Sequence, residues 1–266
     1  MGAARAGTLE RMGRALITGA SAGLGLEFAW TLAAEGNDLV LVARSADKLE
    51  AIAEDIRQKA HVNVEVLPAD LSKPADVDVV AARLIASARP IGLLVNNAGF
   101  GLGQDFVGGK IERELEALNV MVRAVLVLSH AASGAMVKRK YGTIINVSSM
   151  SSLTAQGTYS AHKAWVRTFT EGLAAELKGT GVNASAVCPG LIHTDFHKSS
   201  GVDPRQWADI TFSMPEDVVE AALNAARRGK VLVTPTPLYK AAAGALKFLP
   251  RSIVRKVAGP GLSGRD

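Results

Sequence analysis

The sequence of 266 residues contains a single cysteine, Cys188. One cysteine excludes an internal disulfide, a zinc site built from a cysteine cluster and an iron–sulfur site. No apolar run reaches the roughly 18 residues that a membrane-spanning helix needs, and the first residues lack the apolar core of a secretory signal. We therefore expect a cytoplasmic protein in which residues 1–13 form a flexible leader.

The net charge of +5, from 30 basic and 25 acidic residues, is unevenly distributed. The stretch Leu238–Ala258 has no acidic residue, and its five basic residues are Lys240, Lys247, Arg251, Arg255 and Lys256. Without these five the chain has 25 basic and 25 acidic residues and is neutral. A nucleic-acid-binding protein usually spreads its basic residues over a folded face, so we expect no nucleic-acid partner.

Residues 238–266 are predicted to form a basic amphipathic C-terminal extension, helical in pieces around Pro250. Two interpretations stay open for residues 238–258. Such a helix can dock on its own subunit or a partner with its basic residues in water, or it can lie at an anionic membrane surface as a peripheral contact.

Apolar strand-like segments alternate with helical patterns from residue 14 onward. The seven strand-like segments are Arg14–Thr18, Leu39–Ala43, Val62–Leu67, Ile91–Val95, Ile144–Val147, Ala184–Val187 and Lys230–Val233. Continuous apolar runs indicate strands that are covered on both faces, and intervening helices indicate right-handed crossovers in a parallel sheet. Because no linker or repeat interrupts residues 14–237, we expect one α/β domain there.

The first strand is followed by a glycine-rich turn, Thr18-Gly19-Ala20-Ser21-Ala22-Gly23-Leu24-Gly25. In a strand–turn–helix setting, glycines permit a tight turn and let a pyrophosphate approach the backbone at the helix N-terminus. A glycine-rich turn alone does not separate a dinucleotide site from a plain tight turn.

The end of the second strand indicates which dinucleotide the chain prefers. A fold that prefers NAD places a carboxylate there for the ribose 2′-hydroxyl, whereas this strand continues into Arg44 and Ser45. A guanidinium can bind a 2′-phosphate with two hydrogen bonds, and Ser45 is a nearby donor. We therefore predict NADP(H), with a solvated surface arginine as the alternative for Arg44.

Over roughly Arg14–Val233 the chain resembles the classical short-chain dehydrogenase/reductase family, because a series of motifs occurs in the family's order. They are the turn Thr18–Gly25, Asp70 before Leu71, Asn96-Asn97-Ala98-Gly99, Asn119, Tyr159-x-x-x-Lys163, and Pro189-Gly190 followed by Thr194. The resemblance implies a Rossmann-like, doubly wound parallel sheet of seven strands with helices on both faces. It also implies an NAD(P)-dependent enzyme that interconverts ketones or aldehydes and alcohols, assembled as a homodimer or homotetramer through its two long central helices. Together with Arg44, it predicts an NADP-dependent enzyme.

The resemblance assigns catalysis to Tyr159, Lys163, Ser149 and Asn119. It also assigns the cofactor contacts, which are expected at Thr18, Gly19, Ser21, Gly23, Leu24, Gly25, Arg44, Ser45, Asp70, Leu71, Asn97, Ala98, Gly99, Tyr159, Lys163, Pro189, Gly190, Ile192 and Thr194. No metal is expected, because His193 and His197 lack a further ligand cluster. His162, inside the tyrosine–lysine motif, is predicted to be an exposed helix residue.

The chain departs from the family pattern at the catalytic serine. Ser149 precedes Tyr159 by ten residues, about three fewer than the family usually has, so the loop between them is shortened. The strand end favours Ser149 as the catalytic serine, and Ser148 is the alternative.

Tyr159 and Lys163 are four residues apart and therefore share one face of a helix. A nearby ammonium favours the phenolate and lowers the tyrosine pKa, which suits proton transfer to or from a carbonyl oxygen. Apolar residues near the expected cleft, Met150, Phe196, Trp207 and Phe212, favour a lipid-like substrate. The alternative function is a catalytically weak NADP(H)-binding scaffold or redox sensor.

Overall fold

A computed structural model describes residues 13–193 and 212–259. Seven parallel strands form one sheet in the order β3-β2-β1-β4-β5-β6-β9, and β7 and β8 form a separate parallel pair. The strands are β1 (Arg14–Thr18), β2 (Asp38–Ala43), β3 (Val64–Pro68), β4 (Leu93–Asn96), β5 (Gly142–Val147), β6 (Val182–Val187), β7 (Leu191–Ile192), β8 (Phe212–Ser213) and β9 (Leu232–Val233). In the centre of the sheet Leu16 lies opposite Val40 on one side and Leu94 on the other.

Helices follow the strands and return the chain across the sheet. They are α1 (Gly23–Ala34), α2 (Ala46–Ala60), α3 (Pro74–Ile85), α4 (Ile111–Leu118), α5 (Ala124–Arg139), α6 (Thr158–Glu176), α7 (Pro215–Arg227), α8 (Pro237–Phe248) and α9 (Arg251–Val257). A π-helical turn, Asn119–Arg123, joins α4 to α5, and a 3₁₀ turn, Met150–Leu153, follows β5.

Two apolar layers cover the two faces of the sheet. Phe28 of α1, Leu49 of α2 and Leu223 of α7 belong to one layer, and Val80 of α3 and Leu128 of α5 belong to the other. Each fully buried side chain of this kind contributes about 1.5–3 kcal/mol relative to an exposed one. These layers and the parallel sheet confirm the predicted α/β, Rossmann-like, doubly wound fold with helices on both faces.

The helical stretch Ile111–Arg139 is 29 residues long and, by length and composition alone, apolar enough to cross a membrane. Its inner face, with Met121, Ala124 and Leu128, is fully buried in the second apolar layer. The central helix of a folded α/β domain passes the same test, so we assign this stretch to the core.

The strand order reverses between β1 and β4, which are neighbours in the sheet although two strands separate them in the chain. In open α/β sheets a crevice forms beyond the carboxyl ends of the strands at such a reversal, and ligands bind there. The chain segments that leave β1, β4, β5 and β6 all start at this edge.

The two helices of the C-terminal segment, α8 and α9, are separated at Pro250, where the sequence pattern predicts an interruption. They pack on their own chain: Val254 is fully buried, and Arg251 donates a hydrogen bond to the main-chain oxygen of Leu153. The docking alternative for residues 238–258 therefore describes the arrangement seen here. Of the predicted leader, only Gly13 lies within the described residues.

Candidate active site

The glycine turn after β1 has three positions that disfavour a side chain. Gly19 and Gly23 adopt φ of 66° and 52°, in the left-handed region that favours glycine. A Cβ on Gly25 would lie 2.1 Å from the Gly19 carbonyl oxygen. Helix α1 then begins at Gly23 with no side-chain cap from Ala22, so its first N–H groups are available to phosphate oxygens. This turn, with its accessible main-chain N–H groups, fits a pyrophosphate.

The glycine turn is tied to the segment after β4 by the side chains of Thr18 and Asn97. Thr18 Oγ1 accepts hydrogen bonds from the backbone N–H groups of Asn97 and Ala98, at 3.0 and 3.1 Å. Asn97 Nδ2 donates back to the Thr18 carbonyl oxygen at 3.0 Å. The two segments flanking the crevice are thereby held in one position relative to each other.

Arg44 and Ser45 lie where β2 leads into α2. The Arg44 side chain is 73% exposed and, among the described residues, forms one long ion pair, 3.7 Å, with Glu116. An exposed pair of this kind is weak, so the guanidinium can turn toward an anionic ligand. Ser45 caps α2 by accepting from the Lys48 N–H, which leaves its hydroxyl proton available as a donor.

Asp70 follows β3 and lies near the Arg44 charge. Burial alone would raise the pKa of Asp70, but hydrogen bonds from Ser72 and the charges of Lys73 and Arg44 lower it below its ordinary value. The carboxylate is therefore ionised at neutral pH and available to accept hydrogen bonds. The neighbouring Leu71 is buried in the core, as is Leu24 in α1, so a cofactor contact at either residue would come from its main chain.

Tyr159 and Lys163 lie one turn apart at the start of α6, with Lys163 Nζ 5.8 Å from the Tyr159 ring centroid. Burial raises the pKa of Tyr159 to about 12, partly opposed by a hydrogen bond with Ser149. Burial lowers the pKa of Lys163 to about 8, and its ammonium donates to the Val147 carbonyl oxygen at 2.8 Å. The lowering of the Tyr159 pKa that the sequence led us to expect from the Lys163 ammonium is therefore not found, because burial dominates. The phenol is protonated at neutral pH, whereas Lys163 titrates about one pH unit above neutral pH.

The two candidate serines after β5 have different surroundings. Ser148 is 2% exposed, and its hydroxyl donates to the main-chain oxygen of Lys163 at 2.7 Å. Ser149 is half-buried, hydrogen-bonds to Tyr159 and accepts from the Ser151 N–H at 3.1 Å. Only Ser149 therefore has its hydroxyl beside the phenol.

Asn119 is the first residue of the π-helical turn between α4 and α5. Its carbonyl oxygen accepts from the Ala124 N–H, five residues on, and its side chain donates to the Ser72 carbonyl oxygen at 3.2 Å. Single π turns inside α-helices are frequent at functional sites. Gly99 lies between this helix and the tyrosine–lysine pair, since a Cβ there would be 3.4 Å from both Met121 and Lys163 Nζ.

The segment after β6 brings Pro189, Gly190 and Ile192 to the same edge of the sheet. Pro189 is buried, and its carbonyl oxygen accepts from the Met150 N–H at 2.8 Å, which joins the segment to the one carrying Ser149. Ile192 is half-buried in β7. The predicted contact at Thr194 lies outside the described residues, as do Phe196, His197 and Trp207.

A buried amide network beneath the site was not recognised in the sequence. Asn96 donates to Asn146 Oδ1 at 2.9 Å and to Ser129, and Asn146 donates to Thr170 of α6. Buried polar groups need such partners, since unpaired ones are costly. The network fixes β4, β5 and α6 to each other below the reacting groups, and the only sequence signal was asparagine inside two otherwise apolar strands.

The prediction that His162 is exposed is wrong: the residue is 8% exposed. It is covered because its face of α6 packs toward Glu114 of α4. Burial lowers the pKa of His162, and the Glu114 charge opposes that shift. Glu114 is itself 8% exposed and accepts hydrogen bonds from Thr158 and Gln104. This carboxylate links the segment after β4 to the residue before Tyr159.

Within residues 13–193 and 212–259, no group of three or more His, Cys, Asp or Glu residues could hold a metal ion. The segment between β4 and α4, which leaves the sheet at the edge that bears the crevice, exposes apolar side chains: Phe106 is 64% exposed and Val107 is 90% exposed. Met214, directly after β8, is 51% exposed, and the rings of His193 and Phe212 stack at 4.6 Å.

Comparisons of this chain with a family model and with known sequences find dehydrogenases and oxidoreductases. The short chain dehydrogenase family model matches residues 14–204. An uncharacterized oxidoreductase from Staphylococcus saprophyticus is 32% identical over 214 residues, 79% of this chain and 89% of the relative.

Solved structures are similar over nearly the whole chain. A short-chain dehydrogenase from Sphingobium yanoikuyae in complex with NADPH has a TM-score of 0.80 and 32% identity, over 90% of this chain and 96% of that one. A bulky-bulky ketone specific alcohol dehydrogenase from Comamonas testosteroni has a TM-score of 0.75 and 27% identity over the same shares of the two chains.

Proposed function

Because the chain belongs to the short-chain dehydrogenase family, we propose that it is an NADP(H)-dependent enzyme that interconverts a ketone or aldehyde and the corresponding alcohol. Membership makes it an oxidoreductase with a nicotinamide cofactor. The preference for the phosphorylated cofactor, the catalytic residues and the kind of substrate are our proposals.

One observation carries the proposed chemistry: the Ser149 hydroxyl, the buried Tyr159 phenol and the Lys163 ammonium meet beside Gly99, at the edge of the sheet that also bears the glycine turn. A general acid has to lie within hydrogen-bond reach of the oxygen that it protonates. A substrate oxygen between Ser149 and Tyr159 would have one donor on each side.

In this proposal Tyr159 donates its hydroxyl proton to the carbonyl oxygen during reduction and takes it back from the alcohol during oxidation. A phenol with a pKa of about 12 is protonated at neutral pH and so suits the reductive direction. Ser149 donates a hydrogen bond to the same oxygen and stabilises its developing charge. Lys163 holds a positive charge near the phenol and the cofactor ribose, and Asn119 anchors a water that links Lys163 to solvent.

The residues that would hold the cofactor are those around the crevice. The backbone from Thr18 to Gly25 would receive the pyrophosphate, Arg44 and Ser45 the 2′-phosphate, and Asp70 the adenine. Asn97, Ala98 and Gly99 would line the middle of the site, and Pro189, Gly190, Ile192 and Thr194 the nicotinamide end. When bound, the nicotinamide supplies or accepts the hydride.

The preference for the phosphorylated cofactor is supported by charge at the end of β2. Arg44 is 73% exposed, with one weak ion pair at 3.7 Å. The NADPH in the similar structure from Sphingobium yanoikuyae is consistent with this preference.

An apolar substrate is supported by the exposed apolar side chains of the segments that follow β4 and β8. Phe106, Val107 and Met214 are each more than half exposed, and an apolar ligand would cover them favourably. The ketone-specific relative from Comamonas testosteroni supports a bulky carbonyl compound as the first substrate to try.

The direct test is NADPH consumption by the purified protein with bulky cyclic ketones, aliphatic aldehydes and, as the polar comparison, ketoses. We expect turnover with the apolar compounds and weaker turnover with the ketoses. Tight NADPH binding without turnover on any compound would favour the scaffold or redox-sensor alternative.

We also propose a homodimer or homotetramer that forms through α5 and α6. Leu126 and Val137 are partly exposed on α5, and Trp165 stacks on Phe169 of α6 at 4.7 Å. Light scattering should give a mass of two or four chains, and Leu126→Lys should lower it. A monomeric wild-type protein would contradict this assembly.

We propose that the enzyme is cytoplasmic. We also propose that residues 238–258 form a peripheral contact with an anionic membrane surface. The segment has five basic residues and no acidic one, and Phe248, Ile253 and Val257 are 90%, 43% and 60% exposed. An amphipathic basic helix binds such surfaces through apolar burial and charge.

Sedimentation with phosphatidylcholine vesicles, prepared with and without phosphatidylglycerol, tests this contact. The protein should sediment only with the anionic vesicles, and Phe248→Ser with Val257→Ser should weaken binding. Equal behaviour with both vesicle types, or no effect of the double variant, would argue for docking alone.

A further inference from the structure

The segment that leaves β6 is held from the far end of the chain by Tyr239. Helix α8 begins at Pro237, and the Tyr239 hydroxyl oxygen accepts a hydrogen bond from the Leu191 N–H at 3.0 Å. Forty-eight residues separate the two partners. Burial raises the pKa of this phenol, and the bond from Leu191 opposes the shift.

The Tyr239 ring also explains why residue 190 is a glycine. A Cβ built on Gly190 would lie 1.9 Å from Tyr239 Cζ and 2.0 and 2.3 Å from the two Cε atoms. Gly190 is not among the glycines with positive φ, so its backbone conformation does not by itself favour glycine. The requirement is steric: the ring occupies the position of the missing side chain.

The same segment is linked to the one that carries Ser149. The Pro189 carbonyl oxygen accepts from the Met150 N–H at 2.8 Å, and the Ser148 N–H donates to Val187 at 2.8 Å. Ser148 is thereby fixed to β6, and a shift of residues 189–191 would move the backbone at Met150, directly after Ser149.

Helix α9 supports this second segment as well. Arg251 donates to the Leu153 carbonyl oxygen at 3.1 Å, and Ala155 N–H donates to the Ala258 carbonyl oxygen at 3.0 Å. The C-terminal segment thus contacts both pieces of chain that form the β5–β6 side of the crevice.

We propose that Tyr239 is a positioning residue, whose ring and hydroxyl hold Pro189, Gly190 and Leu191 where they receive the nicotinamide end of the cofactor. This inference rests on the proposed function, which assigns that end of the cofactor to Pro189 and Gly190. In this proposal Tyr239 acts on the reaction through the segment that it holds.

Two ligands separate this role from a purely structural one: NADPH, and adenosine 2′,5′-bisphosphate, which lacks the nicotinamide half. Tyr239→Phe removes one hydrogen bond and should weaken NADPH binding by roughly 2- to 10-fold, the usual range for a neutral hydrogen bond. Tyr239→Ala also removes the ring and should reduce kcat/KM by about 100-fold, as expected for misplaced reacting groups. Neither change should alter binding of the bisphosphate by more than about twofold.

The control is Tyr141, which is 44% exposed and directly precedes β5. It therefore lies at the amino end of that strand, whereas the crevice lies at the carboxyl ends of the strands. Tyr141→Phe and Tyr141→Ala make the same chemical changes and should leave both ligands and turnover unaffected. Equal loss of NADPH and bisphosphate binding in Tyr239→Ala would contradict the positioning role, since it would indicate general damage to the fold.

A double-mutant cycle gives a second readout that does not depend on turnover. Gly190→Ala should weaken NADPH binding strongly in the wild-type background, because the new Cβ would overlap the ring, and much less in the Tyr239→Ala background. Additive losses would overturn the steric coupling.

Binding by the wild-type protein separates the two hypotheses. If the wild-type protein binds neither NADPH nor the bisphosphate, the proposed function fails. If it binds both ligands and the Tyr239 variants bind them equally well, only the role of Tyr239 fails.

Discussion

The two sides of the crevice are held in shape by different means. On the β1–β4 side, the glycine turn and the segment after β4 lock each other through Thr18 and Asn97. On the β5–β6 side, the segments carrying Ser149 and Gly190 rely on helices from the end of the chain, through Tyr239 and Arg251. The residues that hold the first side belong to motifs that the sequence reveals. The residues that hold the second side are distant in the sequence, and only the folded structure shows that they contact it.

The comparison also separates the two tasks of the site. Backbone N–H groups and one exposed guanidinium dominate the first side, which suits it to hold phosphates. The partly buried Tyr159 and the buried Lys163, both with displaced pKa values, dominate the second side, which suits it to move a proton. Variants on the two sides should therefore separate binding from chemistry.

The largest expected effect is that of Tyr159→Phe, which should remove the proton donor but keep the ring. Loss of a general acid usually costs a factor of 10² to 10⁴, so we expect kcat to fall about 1,000-fold. NADPH affinity, measured by fluorescence titration, should change less than about twofold. Unchanged turnover would contradict the proposed role of Tyr159 and, with it, the division of tasks.

Arg44→Ala tests the other side of the crevice. Hydrogen bonds to charged groups contribute about 1.5–3 kcal/mol, so loss of the 2′-phosphate contact should weaken NADPH binding by roughly 10- to 100-fold. NADH binding should stay nearly unchanged, because NADH has no such phosphate. Equal weakening of both cofactors would contradict the assignment of Arg44, and Arg44→Lys should restore part of the affinity.

Gly25→Ala tests whether the glycine turn tolerates a side chain. The new Cβ would lie 2.1 Å from the Gly19 carbonyl oxygen, and such overpacking costs about 1–3 kcal/mol in the free energy of unfolding. Weaker NADPH binding should accompany the loss.

Gly172→Ala is the matched control for Gly25→Ala. It adds the same methyl group on α6 where no atom lies within 4 Å, and it should stabilise the helix by about 0.5–1 kcal/mol. Urea unfolding measures both variants. Similar losses in the two would mean that the crowding at Gly25 does not matter.

The smallest expected effect is a pH dependence that arises on the second side alone. Lys163 has a pKa lowered to about 8, so it loses its positive charge as the pH rises above 8. At pH 9 the kcat/KM for reduction should be about tenfold lower than at pH 7. Tyr159, with a pKa raised to about 12, keeps its proton over this range. A profile that stays flat to pH 10 would contradict a catalytic role for the Lys163 charge.

The sequence predicts the fold well because buried parallel strands leave a strong local pattern. Each of the seven predicted segments overlaps one strand of the sheet, and some bounds are shifted, as for Lys230–Val233, of which only Leu232–Val233 is a strand. The turn from Thr18 to Gly25 was equally recognisable, since Gly19, Gly23 and Gly25 lie close together directly after a strand.

The rest of the site depended on contacts that no local pattern carries. Burial of His162 follows from the packing of α6 on α4, and the choice between Ser148 and Ser149 follows from the hydroxyl direction at the end of β5. Tyr239 was counted only as part of a basic amphipathic tail. Its position against Gly190 depends on the path of the whole chain from β6 to α8.

The hydrogen bond from the Ala155 N–H to the Ala258 carbonyl oxygen has a consequence for synthesis of the protein. These two residues are about 100 positions apart, and a domain generally folds as a unit. The β5–β6 wall around Ser149 therefore stays incomplete on the ribosome until α9 has emerged. Assembly of the side of the crevice that carries the reacting groups is thus delayed until nearly the whole described chain has been synthesised.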